Sequence, residues 1–466
     1  MLMSKPQRTR EGLNPHFVIP ANAGIQGPRD DFRMPAFAGV TSKGMMRGFL
    51  KSLVLLALLT TASAWADQYH YKNLLIGDRA SGMGGAYTAV SDDPSGLYYN
   101  PAGIVYTVGS NVSGSMNAFH TTDITYHKVL DDRLDWTRSS STLLPNFFGV
   151  YQPFWKGKVG FSYAVLDSIL EDQDQTFTNV SANVDSYTIN SNNQETTYNI
   201  GPSFAMSLSD SLSVGLTLYG HMQKRQRIFN QLIFGTYGAG TADETWSNEY
   251  DELDEYGLRP ILGLMWSPRE DLSVGLNINK TVVAHSNRKI QQNYKCAANP
   301  DPLAQPHPDC LPADIDNVIQ VVSESTAQAK YPLQTRLGVA YFPSPSVLLS
   351  GDVIYNGATG DGKETTINLA LGGEFYINAR WALRAGLFTD NANTPDLKAG
   401  QTNQAEHVDL RGGSFSVSHF SRSSALSVGV AYASGSGKAQ LFADDTRIQT
   451  VDTSTLTLFM SATYSY

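Results

Sequence analysis

The sequence predicts an all-β fold, a 14-stranded antiparallel transmembrane β-barrel with an amino-terminal hatch inside its lumen. Three observations carry this. From Val108 onward, apolar residues alternate with small or polar ones over runs of about ten positions, the two-residue period of a strand with one greasy and one polar face. Six short polar turns alternate with seven longer connections, the one-sided loop pattern of outer-membrane barrels. No stretch after residue 66 is apolar enough to span as a helix, so a membrane protein of this sequence must close a barrel to satisfy its backbone.

The chain begins with residues 1–44, in which VIPANAGIQ and MPAFAGVTS echo each other amid proline, glycine and mixed charge. These read as a mis-called upstream extension, with the true start at Met45 or Met46. Residues 45–66 form a signal peptide: Arg47 and Lys51 supply the basic start, Leu53 to Leu59 the apolar run, and Ala64 and Ala66 the small residues of a cleavage site after Ala66. That run is shorter than the ~20 residues a membrane anchor needs. Removing the first 66 residues takes away 8 of 34 basic and 3 of 43 acidic side chains. The mature chain keeps 26 and 40, a net charge of −14, which argues against a nucleic-acid partner.

Residues 67–107 precede the first strand and contain GDRASGMGGAYTAVSDDPSGLYYNPAGI, Gly77 to Ile104. Its glycines permit backbone angles other residues avoid, and Pro101 pushes Asn100 out of helical space. A compact irregular plug is expected there, with Gly84, Gly85, Asp92, Asp93, Asn100, Pro101 and Ala102 as its distinctive residues.

The barrel, 108–466, repeats one phrase: LSVGLTLYGHM at Leu212, LSVGLNI at Leu272 and LSVGVAY at Leu426. In the first, Leu212, Val214, Leu216 and Leu218 share one face, and Ser213, Gly215, Thr217 and Tyr219 the other. Short turns are expected at Trp155-Lys156-Gly157, SLSDS, SPRED, Pro343-Ser344-Pro345, Asn378-Ala379 and HFSRSSA. Long loops are expected around 120–140, 168–195, 226–255, 285–330, 390–406 and 434–453, with a shorter one near 357–363. Within the third, IFNQLIFGTYGAG from Ile228 is either a loop lining an entrance or a strand carried beyond the membrane. Phe154, Trp155, Trp266, Phe342, Tyr376, Trp381 and Phe420 gather beside the short turns, where an interfacial girdle lies. The last strand, STLTLFMSATYSY, ends on an aromatic residue and resembles the terminal signal read by the barrel-assembly machinery.

Small residues such as Gly160, Ser162, Ala164, Ser213 and Gly215 line the inner face and leave room for the plug. Alternation also turns Arg259, Arg336, Arg384 and Arg411 inward, since an arginine facing lipid near the midplane costs roughly 2–4 kcal/mol. Each either pairs with Asp92, Asp93 or another lumenal acid, or holds a ligand carboxylate by charge-assisted bonds.

Cys296 and Cys310 share the proline-rich stretch CAANPDPLAQPHPDC in a chain bound for an oxidising compartment, and are read as a local disulfide. With His307 they are too few ligands for a metal site, and no cofactor is implied. Catalysis is not expected: there is no GxSxG elbow, and most histidines after residue 66 fall in or near loops.

With a signal before it and about 360 residues of barrel behind it, the combination of GMGGA, the acidic pair in SDDPSGLYYNPAG and the Asn100-Pro101-Ala102 triplet resembles the FadL-type long-chain fatty-acid transporters, which include the TodX-like aromatic-hydrocarbon channels. The resemblance implies a monomeric protein of the Gram-negative outer membrane that takes up long-chain fatty acids or other hydrophobic compounds. Ligand would be caught among the extracellular loops, pass to an upper pocket and be released when the hatch moves. It implies sideways exit into the outer-membrane lipid beside a distorted third strand, here Lys158 to Leu170, which carries no glycine pair to kink it. Barrels with similar NPAG stretches also serve as secretion or assembly partners. Long external loops and lumenal room favour transport.

Overall fold

The computed structural model describes residues 69–71, 74–107, 109–130, 133–181, 184–237, 241–295, 318–360, 362–441 and 446–465. The expected upstream extension, the signal peptide and both cysteines lie outside these residues.

Sixteen strand segments form one ring. In chain order they are β1 (Asn111–Leu130), β2 (Leu134–Phe154), β3 (Gly157–Thr178), β4 (Val184–Ser207), β5 (Leu212–Tyr237), β6 (Thr241–Arg269), β7 (Leu272–Asn279) and β8 (Val282–Lys295). There follow β9 (Val318–Ser325), β10 (Gln334–Ser344), β11 (Val347–Asn356), β12 (Thr366–Asn378), β13 (Trp381–Asp390), β14 (Leu410–Phe420), β15 (Ser424–Ala439) and β16 (Gln449–Ser465). They make fourteen staves. β7 and β8 both run antiparallel to β6 and are one interrupted stave, and β9 and β10, paired to β8 and β7, are another. Antiparallel pairing of β1 with β16, from Asn111↔Ser465 to Tyr126↔Val451, closes the barrel and leaves its two ends no exposed edge.

The six expected short turns all connect neighbouring strands. The expected long loops are mostly not loops. β1–β2, β3–β4 and β5–β6 continue as paired hairpins to Leu130, Thr178 and Tyr237, so residues placed in loops near 120–140, 168–195 and 226–255 are largely strand. Polarity misled the reading, because strands standing in water can be polar on their outer face. IFNQLIFGTYGAG is therefore extended strand as far as Tyr237.

Side chains alternate as the sequence dictates. Ser213, Thr217 and Tyr219 are buried on the inner face, while Leu216 and Leu218 are exposed on the outer. Phe154, Trp155, Trp266 and Trp381 are exposed beside the short turns.

Inside the ring lies the amino-terminal segment: a short helix Asp78–Gly82, a single helical turn Gly96–Tyr99 and a 3-10 turn Pro101–Tyr106. Most of its apolar residues pack in one cluster with inner-wall side chains from β2, β3, β10 and β11, and Leu97 and Ile104 pack in another with Tyr151 and Ala205. A separate apolar cluster lies towards the loop side, drawing Ile124, Tyr126, Trp136, Ile169, Tyr187 and Ile233 from β1–β5 and Val451 from β16.

Candidate functional site

The amino-terminal segment is tied to the wall on several sides. Asn100 is fully buried with extended backbone, and its side chain caps the 3-10 turn by accepting from the Ala102 amide at 3.2 Å. Its Nδ2 donates to the carbonyls of Thr88 at 2.8 Å and Leu264, on β6, at 3.1 Å. Pro101 opens the turn, where its missing N–H costs nothing. Ala102 accepts through its carbonyl from Ser213 Oγ at 2.9 Å. Gly84 takes a left-handed φ of 64°, and its amide donates to Ser414 Oγ at 3.0 Å. Gly85 follows in the same region at 80°.

Close approach requires glycine on the wall as well. A Cβ at Gly263 would lie 2.2 Å from Asn100 Oδ1, and one at Gly386 would lie 2.2 Å from Gly84 N.

Charge fixes the side facing β12 and β13. The Glu374 carboxylate, fully buried, accepts from Arg79 Nε at 3.0 Å, Arg79 Nη2 at 2.6 Å and Arg384 Nε at 2.7 Å. Arg79 also bonds Asp92, and Arg384 bonds Ser418. Asp352 on β11 accepts through one oxygen from the Tyr87 amide, the Thr88 amide and the Thr88 hydroxyl at 3.1, 3.0 and 2.7 Å. Arg384 is therefore linked to the segment through Glu374 rather than through the aspartate pair. The sequence reading missed Arg79, Glu374 and Asp352. The alternation that turned Arg384 inward also turns Glu374 inward, between Gly373 and Phe375, and Arg79 stands in the quoted GDRASG.

Asp93 accepts from the Ser95 amide at 2.8 Å. Burial, with the Asp78 carboxylate behind it, pushes its carboxyl up to about 6. A carboxyl raised by folding favours the packed segment fully below its unfolded value near ~4, and that contribution is lost as pH rises through about 6. Conductance across a planar bilayer is expected to rise from about pH 5 to about pH 7, and to lose that dependence in Asp93→Asn.

Arg259 and Arg336 differ from Arg384. Among the described residues neither forms an ion pair. Arg259 Nη2 donates to Asn279 Oδ1 at 3.0 Å and Arg336 Nε to Gln334 Oε1 at 3.2 Å, and Asn279 joins them by donating to that same Gln334 oxygen at 3.1 Å. Arg259 Nε and Arg336 Nη1 are buried and find no hydrogen-bond partner among the described residues. The two guanidinium groups sit over the rings of Tyr98 and Tyr99 at 5.7 and 5.5 Å. They are thus a cationic pair held by amides and aromatic faces, with donors to spare. Arg411 does not join them. Leu410 takes the inner position at the start of β14, and alternation turns Arg411 outward and exposed at the loop-side end of the strand, away from the lipid midplane that forbids it.

The wall itself is interrupted. β2 pairs with β3 only from Phe154↔Gly157 to Phe147↔Ala164, although β2 stays paired to β1 as far as Leu134 and β3 to β4 as far as Thr178. Pro145 has no amide for the ladder. The register shifts in β2 next to it, burying both Asn146 and Phe147, and in β3 between Val165 and Asp167. Above the break the strands are joined by side chains: Arg138 Nη2 to Glu171 Oε2 at 2.7 Å, Leu170 N to Ser140 Oγ at 3.0 Å and Gln173 Nε2 to the Ser139 carbonyl at 3.1 Å. Leu144, Phe147, Ala164 and Val165 line the lumenal side and pack in one cluster with Leu74, Ile76 and Met83. The third strand is irregular without a glycine pair.

This closed 14-stave barrel can be set beside solved structures. A FadL homologue from Pseudomonas aeruginosa superposes with a TM-score of 0.58 at 14% identity, over 85% of this chain and 99% of that one. The barrel has the FadL/TodX fold. The Pseudomonas putida toluene transporter TodX matches at TM-score 0.61 and 13% identity, and the Ralstonia pickettii toluene transporter TbuX at 0.56 and 13%, each over 85% of this chain and 99% of its own. No family model and no curated protein matches the sequence. TodX and TbuX are toluene transporters, not enzymes. Among the described residues of this chain no group of three or more His, Cys, Asp or Glu could hold a metal ion.

Proposed function

We propose that this protein is an outer-membrane channel for long-chain fatty acids or other hydrophobic compounds, delivered to the surface after cleavage behind Ala66. Residues 67–107 act as a hatch in the barrel 108–466. The observation that carries this reading is the sequence of apolar surfaces inside the barrel. The loop-side cluster is the entry, and the lower cluster of Leu144, Phe147, Ala164 and Val165 meets the hatch where the β2–β3 ladder stops. Sideways release through that interruption spares a greasy solute both the polar inner rim and the water beyond it. Arg259 and Arg336, with unused donors and no ion pair among the described residues, suit the carboxylate of an amphiphile.

The test is uptake of labelled palmitate by cells lacking their own transporter, with the variants at equal surface expression. The intact protein restores uptake. Loss of a charge-assisted bond costs roughly 1.5–3 kcal/mol, so Arg259→Ala with Arg336→Ala should weaken palmitate binding by about 10–100-fold while sparing toluene. Ala164→Phe, which fills the lumenal mouth of the interruption, should reduce uptake at least about tenfold while bound palmitate is retained. Failure of the intact protein to restore uptake of either compound would remove the transport reading and favour a protein partner.

A further inference from the structure

We propose that Tyr331 is a displaceable cover over the Arg259–Arg336 pair, which the carboxylate of an amphiphile must move to reach the two guanidinium groups. The proposal deepens the transport reading above and, for its ligand, rests on it. Residues 326–333, which join β9 to β10, leave the wall. β8 pairs with β9 no further than Arg288↔Ser325, and β10 pairs with β7 and β11 only from Gln334, at Gln334↔Asn279 and Gln334↔Asn356. Among the described residues no ladder therefore holds 326–333 on either side, and the backbone tie to the next stave is Gly357 N to the Leu333 carbonyl at 3.0 Å. Freed in this way, the segment turns inward. The Ala329 amide donates to Glu255 Oε1 on β6 at 3.1 Å, and the Tyr331 hydroxyl reaches β5, where it donates to Gln223 Oε1 at 2.8 Å. The Tyr331 ring stands edge-on to the buried His221 ring, with centroids 5.2 Å apart.

Register puts this cover on the loop side of the arginines. Tyr219 pairs with Arg259, and Gln223 and Glu255 each stand four residues further towards the loops. On the other flank Tyr331 precedes Arg336 where the chain enters β10 from the loop side. The Arg259 charge acts on both His221 and Tyr331. The amino-terminal segment meets the same strands from the turn side, where Thr217 Oγ1 donates to the Leu97 carbonyl at 2.7 Å and Asn100 Nδ2 to the Leu264 carbonyl at 3.1 Å. The guanidinium groups thus lie between that segment and Tyr331, and their unused donors, Arg259 Nε and Arg336 Nη1, are buried. A ligand arriving from the loops has to displace one of the two covers. The lower one is tied through Glu374, Asp352 and Asn100, whereas Tyr331 is held by one side-chain bond and one ring contact on a segment without a ladder. Charge-assisted bonds from a carboxylate to the arginines are stronger than the neutral bond that Tyr331 gives up.

The experiment follows the arginines themselves. The full-length protein in detergent micelles is treated with phenylglyoxal, which modifies accessible guanidinium groups, and its peptides are weighed by mass spectrometry. In Tyr331→Ala, Arg259 and Arg336 should be modified about tenfold faster than in the wild type, the effect of losing one net hydrogen bond and one ring contact. Arg384, buried in its ion pair with Glu374, should keep its wild-type rate in the same sample. Palmitate should associate about tenfold faster with the variant and protect both Arg259 and Arg336 from the reagent. Tyr331→Phe keeps the ring and loses the bond to Gln223; it should raise both rates about threefold, and it serves if the alanine variant does not assemble. Equal modification of Arg259 and Arg336 in wild type and variant, an equal acceleration at Arg384, or palmitate association at the wild-type rate would overturn the proposal. Faster modification of the pair with palmitate bound by neither protein would support the cover and overturn the transport reading from which its ligand comes.

Discussion

Glu374→Gln is expected to open a path through the barrel. Its carboxylate is shared by Arg79 of the amino-terminal segment and Arg384 of the wall, and its side chain is fully buried. Removing one partner of a buried ion pair costs roughly 3–5 kcal/mol, because the remaining charges keep their desolvation without their attraction. The wall does not absorb that loss, since β12 is laddered to β11 from Val347↔Phe375 to Asn356↔Thr366 and to β13 across Glu374↔Arg384. The segment has fewer constraints, so the loss falls on its seating. A shift of even ~3 kcal/mol changes the seated-to-unseated ratio more than 100-fold. Cells carrying the variant should become sensitive to a bulky antibiotic excluded by the wild type, and the purified variant should conduct steadily in a planar bilayer. Arg79→Met should act more weakly, because it leaves Glu374 paired with Arg384, whereas Glu374→Gln takes the shared carboxylate from both guanidinium groups. Unchanged antibiotic sensitivity and conductance in Glu374→Gln would show that this carboxylate does not hold the segment.

The barrel was legible in the sequence because its signals are local. Alternation in LSVGLTLYGHM needs no knowledge of partners to assign a face, and six polar breaks between such runs count the staves. What polarity could not reveal is where membrane ends and strand continues, so the hairpins reaching Leu130, Thr178 and Tyr237 read as loops. The site was legible only in part. Asn100, Pro101, Gly84 and the inward arginines stand out by residue type. Their partners do not, because Arg79 and Glu374 are 295 positions apart and meet only when the ring closes. Arg411 shows the opposite limit. An argument from lipid burial applies to a midplane residue, and the sequence does not disclose that this one stands at the loop-side end of β14. The β2–β3 interruption was sought in glycines, but a proline on one strand and a register shift on the other accompany it.

Gly386→Val should unseat the same segment by steric rather than electrostatic means. The added Cβ would stand 2.2 Å from both Met83 C and Gly84 N and 2.7 Å from Gly84 Cα. These are backbone atoms, which cannot swing aside as a side chain can, and β13 is held in place by Gly372↔Gly386 on one side and Gly386↔Ser414 on the other. Overpacking of a well-filled site costs roughly 1–3 kcal/mol when neighbours can yield, and more where they cannot. The shift also pulls Gly84 N away from Ser414 Oγ, removing one tie between the segment and β14. The barrel should still assemble and migrate as a compact, heat-modifiable band, while its conductance rises to that of a variant lacking residues 67–107. Gly114→Val is the control, because a Cβ there meets nothing within 4 Å and should leave both properties unchanged. A Gly386→Val protein as impermeable as the wild type would mean that the segment shifts without uncovering a path, and that displacement at β13 is not what opens the lumen.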